Sequence, residues 1–179
     1  MITKKYIGGN AYEILGIDRD LFTTIYGLAD NTKEFVLEDD KFCQAVVIEL
    51  TAKLGLECVS VDYSETAGYF TPDSAPWIWH SDHASNNDSK LLLYFVDQEL
   101  NEITGDRICF RDKEDPIASE VRFTIRNCCC ILQGDVSDRY QHMREPALVP
   151  VNKRLLCSIN TLGFKTFIET IQDHDKLTF

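Results

Sequence analysis

Positive charge is the minority in this chain, with 18 Lys and Arg against 29 Asp and Glu, a net charge of −11. The basic residues form no sustained run, so the long-range field that gathers phosphate backbones is missing and nucleic acid is not an expected partner. The acidic excess reads as a solubility feature, with a cationic peptide or amine substrate as the alternative. Long apolar runs are lacking too. No stretch approaches the roughly 18 to 20 apolar residues of a membrane span, and Lys4-Lys5 is not followed by the apolar segment of a secretory signal. The expectation is a cytoplasmic chain with no membrane partner. Repeats, low-complexity tracts and Pro/Gly/Ser-rich linkers are also missing, which predicts one domain over residues 1–179 around a single sizeable core. Nothing in the sequence reads out an oligomeric state.

Cysteine is present in an odd number, seven, and Cys128, Cys129 and Cys130 are consecutive. Neighbours on a strand point to opposite faces, so the triplet predicts small apolar filler in a buried strand and not a thiolate site or a disulfide framework.

The first third, about 1–55, reads as a helical lead-in. From about Asp39 to Leu54, the residues Phe42, Val46, Val47, Leu50 and Leu54 recur at helical spacing, and Gly55 stops the pattern. Short β-rich runs then follow between turn signals: Leu56–Tyr63, Ile78–Asp82, Lys90–Val96, Arg107–Phe110, Glu120–Ile125, Cys128–Leu132 and Leu155–Ile159. A last helix is expected at about 164–175. The fold class is therefore mainly β with helices (α+β), an antiparallel sandwich or barrel over about 56–160 backed by helices.

Chemistry concentrates in Trp77-Ile78-Trp79-His80-Ser81-Asp82-His83. On an extended chain, residues two apart share a face, so the His80 imidazole and the Asp82 carboxylate can reach one ion. A third ligand must come from elsewhere, and His142 is the natural donor, after the turn-like segment 133–138. Two imidazoles and one carboxylate leave three metal positions open, the arrangement of non-haem iron(II) oxygenases. A His-x-acid pair alone arises in about half of chains with this composition, so context decides.

The context resembles the 2-oxoglutarate and iron(II) dependent oxygenase superfamily, its prolyl-hydroxylase-like branch in particular, over about Val59–Asn160. His80-Ser81-Asp82 is similar to the family's paired ligands, and His142 follows Asp82 by 142 − 82 = 60 positions. Lys90–Asp97 looks like the central core strand, Gly105–Phe110 like the glycine-led strand after it, and Gly134, Pro146 and Arg154 occur in the family's order. The resemblance implies a double-stranded β-helix (jelly-roll, cupin-like) core, and iron(II) held by His80, Asp82 and His142. It further implies 2-oxoglutarate and dioxygen as co-substrates, ascorbate as an optional addition, and hydroxylation of an amino acid, a peptide or protein side chain or a small metabolite, yielding succinate and carbon dioxide. Arg154 would clamp the far carboxylate of 2-oxoglutarate, with Lys153 as fallback.

The residues support Arg154 independently, because a guanidinium fork suits a carboxylate and a charge opening the apolar run Leu155-Leu156-Cys157 needs a partner. Ser158, four residues on, can share its face. Tyr94 and Phe95 compete for the inward position that would assist the same carboxylate, with Tyr63 and Tyr69 as substitutes. Trp77 and Trp79 wall an entrance or pack, His83 supports the ligands from behind or is structural, His174 is solvated, and Arg139 and Arg144, which flank His142, could orient substrate but read rather as surface charge. Two other classes stay open: a cupin-like metalloenzyme that does not use 2-oxoglutarate, and a non-catalytic jelly-roll binding module.

Overall fold

Strands are the commonest regular element of this chain, and their pleat decides which residues reach the site. The computed structural model describes residues 1–30, 41–69, 78–82, 87–134 and 139–176, the side chains of 25–30, 41–44, 62–69 and 151–153 excepted. In chain order the elements are β1 (Thr3–Gly8), β2 (Ala11–Leu15), α1 (Arg19–Asp30), α2 (Lys41–Lys53), β3 (Glu57–Tyr69), β4 (Ser89–Val96), β5 (Ile108–Asp112), β6 (Val121–Phe123), β7 (Cys129–Gly134), β8 (Tyr140–Arg144), β9 (Val151–Leu162), α3 (Phe164–Thr170) and β10 (Gln172–Asp173), before a single 3-10 turn at His174–Lys176.

Seven strands form one sheet in the order β10-β1-β2-β7-β4-β9-β3, and β6-β5-β8 form a second. All pairings are antiparallel except β1 with β10. Among the described residues the two sheets do not close into one another. Alternation along β4 sorts its side chains onto two cores. Leu91, Leu93 and Phe95 pack with Val47, Leu50 and Leu54 of the α2 region and with Phe167 of α3. Leu92, Tyr94 and Val96 pack between the sheets with Ile108, Phe110 and Ile131. Cys129 and Cys130 fall on opposite faces in the same way, and burial pushes the Cys129 thiol up to about 12. No helix among the described residues is long and apolar enough to cross a membrane.

Four expectations are corrected. Residues 3–15 are not helical: β1 and β2 form a hairpin at the edge of the large sheet, turned by Gly8, Gly9 and Asn10, all at positive φ (112°, 52° and 57°). A Cβ on Gly9 would stand 2.7 Å from Phe110 Cβ, so glycine lets the turn lie against β5. Ile78–Asp82 is no strand, because only His80 pairs, in a lone bridge to His142. Of the turn-like segment 133–138 expected before His142, Gln133 and Gly134 instead end the buried strand β7 and 135–138 lie outside the described residues, while His142 sits at the centre of β8. The last helix ends at Thr170 and not near 175. Ile171 is extended (φ −86°, ψ 124°), and the chain continues as β10 beside Thr3 and Lys4 of β1. The Lys4 ammonium, buried under α3, donates to the Ile168 and Ile171 carbonyls at the end of that helix, a basic partner that the last turn of α3 itself lacks.

Candidate metal centre

The two histidines face each other because their backbones pair. His80 N–H donates to the His142 carbonyl at 3.1 Å and His142 N–H to the His80 carbonyl at 2.9 Å. Residues joined in this way lie directly opposite and project from one face, and here the two rings meet at 4.4 Å between centroids. Asp82, two residues beyond His80, brings its carboxylate to the same place. Its Oδ2 lies 3.0 Å from His142 Nε2 and its Oδ1 lies 3.6 Å from His80 Nε2. The ligand atoms of the three residues all fall within 4.8 Å of one another, so they can share one ion.

Each imidazole is anchored through its other nitrogen. His80 Nδ1 donates to the Ile78 carbonyl at 2.9 Å, and the buried His142 donates from Nδ1 to Gln133 Oε1 at 2.9 Å. Such bonds fix the tautomer that presents Nε2 as the metal-binding atom. Burial disfavours the charged imidazole of His142 and, against the pull of Asp82, holds its pKa below the ordinary histidine value. For Asp82, burial pushes upward, but the hydrogen bonds and charges of His142 and Lys90 more than offset it and hold the carboxyl below its usual range. At neutral pH the donor set is thus one ionised carboxylate and at least one neutral imidazole, suited to a divalent transition metal.

These groups open into a cleft of about 200 Å³ between the sheets, whose lining also includes Lys90, Tyr94, Arg144, Arg154 and Ser158. The pleat of β4 settles the competition between its aromatics: Tyr94 faces the cleft, while Phe95 faces the other core against Phe22. Arg154 is buried on β9 with its guanidinium carbon 5.4 Å from the centre of the Tyr94 ring. Burial, ahead of the nearby arginine, pushes the Tyr94 phenol up to about 12, so it stays a hydrogen-bond donor. Arg154 Nε and Ser158 Oγ are both buried and make no hydrogen bond. Unpartnered polar atoms are costly inside a protein, and two on residues that line one cleft mark a place for a ligand.

Three residues in or beside the cleft escape a reading of the sequence. Asp106, fully buried at positive φ (58°), binds Arg144 Nε through Oδ1, which lies 3.7 Å from Arg154 Nη1. Arg144 is therefore no surface charge; it lies on the His142 face of β8 and lines the cleft. Lys90, read only as part of a core strand, reaches Asp82. Gln133 anchors His142. Arg139 is a surface residue, bonded to Asp112. Trp79 lies under the Arg111 guanidinium (4.2 Å), and His174 Nδ1 lies 3.1 Å from Thr3 Oγ1. Trp77 and His83, with the side chains of Tyr63, Tyr69 and Lys153, lie outside the described residues.

Compared by sequence, the chain matches no protein-family model and no curated protein. Among solved structures it is similar to a prolyl-4-hydroxylase from Pseudomonas putida, at 13% identity over 79% of this chain and 78% of that one, with a TM-score of 0.44. It is also similar to prolyl 4-hydroxylases from Phytophthora capsici, at 17% identity over 87% of this chain and 49% of that one, with a TM-score of 0.45.

Proposed function

We propose that this chain is a non-haem iron(II) oxygenase dependent on 2-oxoglutarate and dioxygen, a hydroxylase of an amino acid, a peptide or protein side chain or a small metabolite, acting in the cytoplasm. The observation that carries this reading is the convergence of His80, Asp82 and His142 on one point, with both imidazoles tethered through Nδ1. A facial set of two nitrogens and one oxygen fits iron(II) and leaves three coordination positions open. The two sheets facing each other across the site are read as the double-stranded β-helix of such enzymes.

His80, Asp82 and His142 would hold the iron, and the bound metal with its keto acid supplies the oxidising chemistry, giving succinate and carbon dioxide. The protein's own part is binding and exclusion. Arg154 offers a rigid guanidinium to the distal carboxylate, Ser158 a hydroxyl on the same strand, and Tyr94 a protonated phenol next to them. Leu92, Ile108 and Leu156 wall the cleft with apolar surface that keeps water away from the reacting centre.

One observation favours a second reading, a cupin-like metalloenzyme without 2-oxoglutarate: Asp106 already offers Arg154 a negative neighbour. Anaerobic addition of iron(II) and then 2-oxoglutarate separates the two. The oxygenase reading expects the weak visible charge-transfer band of the chelate, and succinate once oxygen is admitted with a substrate. Bound iron without the band supports the cupin-like enzyme, and no iron binding leaves only a binding module.

A further inference from the structure

On β4, Lys90 shares the inward face with Leu92 and Tyr94, so its ammonium enters the cleft at the metal centre. It is largely buried and bonds Asp82 Oδ2, the oxygen that also faces His142 Nε2. Lys90 pairs across the sheet with Gln133, the residue that anchors His142. Two adjacent positions on neighbouring strands thus grip two of the three proposed ligands. The grips differ in kind. Gln133 takes the nitrogen that points away from the metal position, whereas Lys90 takes an oxygen that a metal would use.

We propose that Lys90 is a positioning residue that holds Asp82 ready by standing in for the cation, so that metal loading is the exchange of an ammonium for a divalent ion. The inference rests on the metal reading above and goes beyond it. A carboxylate next to two imidazoles in a half-buried cleft needs a counter-charge when no metal is bound, and a lysine on a flexible stem can supply one and then withdraw. A divalent ion taking the same oxygen must break that bond and then tolerate a positive neighbour.

The test is the affinity for Zn(II) and Mn(II), measured by chelator competition, of the wild type, K90M and K90R. K90M keeps the length of the stem and removes the charge. The account expects it to bind both metals tighter by roughly tenfold or more, the factor that one charge-assisted hydrogen bond represents, and to melt at a lower temperature than the wild type only when metal-free. K90R keeps the charge and binds no tighter than the wild type. K90Q carries the same expectation as K90M if the latter does not fold. Unchanged or weaker binding in the neutral variants overturns the proposal, because a merely structural lysine gives no gain on removal. Failure of the wild type to bind either metal overturns the metal reading itself, a distinguishable result.

Discussion

Arg154→Met separates a ligand-binding arginine from a structural one. Arg154 is buried at 5% exposure, its Nε is unpartnered, and the Asp106 carboxylate oxygen lies 3.7 Å from its Nη1, beyond hydrogen-bond range, while also serving Arg144. Burial lowers the arginine's pKa, the mark of a charge whose lost hydration is not fully replaced. Replacing buried ionic groups with apolar side chains of similar volume is often neutral or stabilising by about 1–4 kcal/mol provided no charged partner is left unpaired, and Asp106 keeps its bond from Arg144. In a chain of this length each kcal/mol moves the melting temperature by about 2–4 °C, so R154M keeps or raises it. A guanidinium on a ligand carboxylate is worth about 1.5–3 kcal/mol, so R154M weakens 2-oxoglutarate binding roughly ten- to 150-fold. The assay is thermal melting of the metal-free protein together with 2-oxoglutarate titration of the Mn(II)-loaded one. A melting temperature lower by about 6 °C or more, with co-substrate affinity unchanged, would refute the reasoning and make Arg154 a structural partner of Asp106.

The same structure leads to three more expected outcomes. Gln133→Leu removes the acceptor of the His142 Nδ1 proton (2.9 Å) and lowers Zn(II) affinity by about 10- to 100-fold with the circular dichroism spectrum unchanged, as read by chelator competition. Glu145→Gln breaks the paired bonds from Arg107 at 2.6 and 2.8 Å and costs about 1–2 kcal/mol at pH 7 in urea melts. Because hydrogen bonding from Arg107 holds the folded Glu145 carboxyl below its ordinary value, its stabilisation is full above the unfolded glutamate range and fades as pH falls through the folded value, so the gap between variant and wild type closes in acid. Gly9→Ala places a Cβ at positive φ, 2.7 Å from Phe110 Cβ and 2.8 Å from Arg111 N, and loses about 2–4 kcal/mol in the same melts.

What could be read from the sequence was set by local periodicity. Lys90–Val96 is apolar at nearly every position, and Ser89–Val96 forms a strand buried on both faces. The spacing of His80 and Asp82 puts them on one side of an extended segment, and a lone arginine opening an apolar run marks Arg154. What stayed hidden depends on partners distant in sequence. Asp106 takes its meaning from Arg144, 38 residues away, and Lys90 and Gln133 from ligands on other segments. Whether Tyr94 or Phe95 faces the cleft turns on the register of the pleat, which a continuous apolar run does not reveal. The N-terminal hairpin was legible, since Gly8-Gly9-Asn10 lies between two β-rich runs, and a helical expectation overrode it. The turn from α3 into β10 was not, because the strand it pairs with lies at the other end of the chain.

The central claim is a divalent ion shared by His80, Asp82 and His142, and anaerobic equilibrium dialysis against iron(II) followed by metal analysis tests it most directly. The account predicts one iron per chain in the wild type and none held by H80A, D82A or H142A, each still folded by circular dichroism. Iron retained at full stoichiometry by H142A, or absent from the wild type, would contradict it.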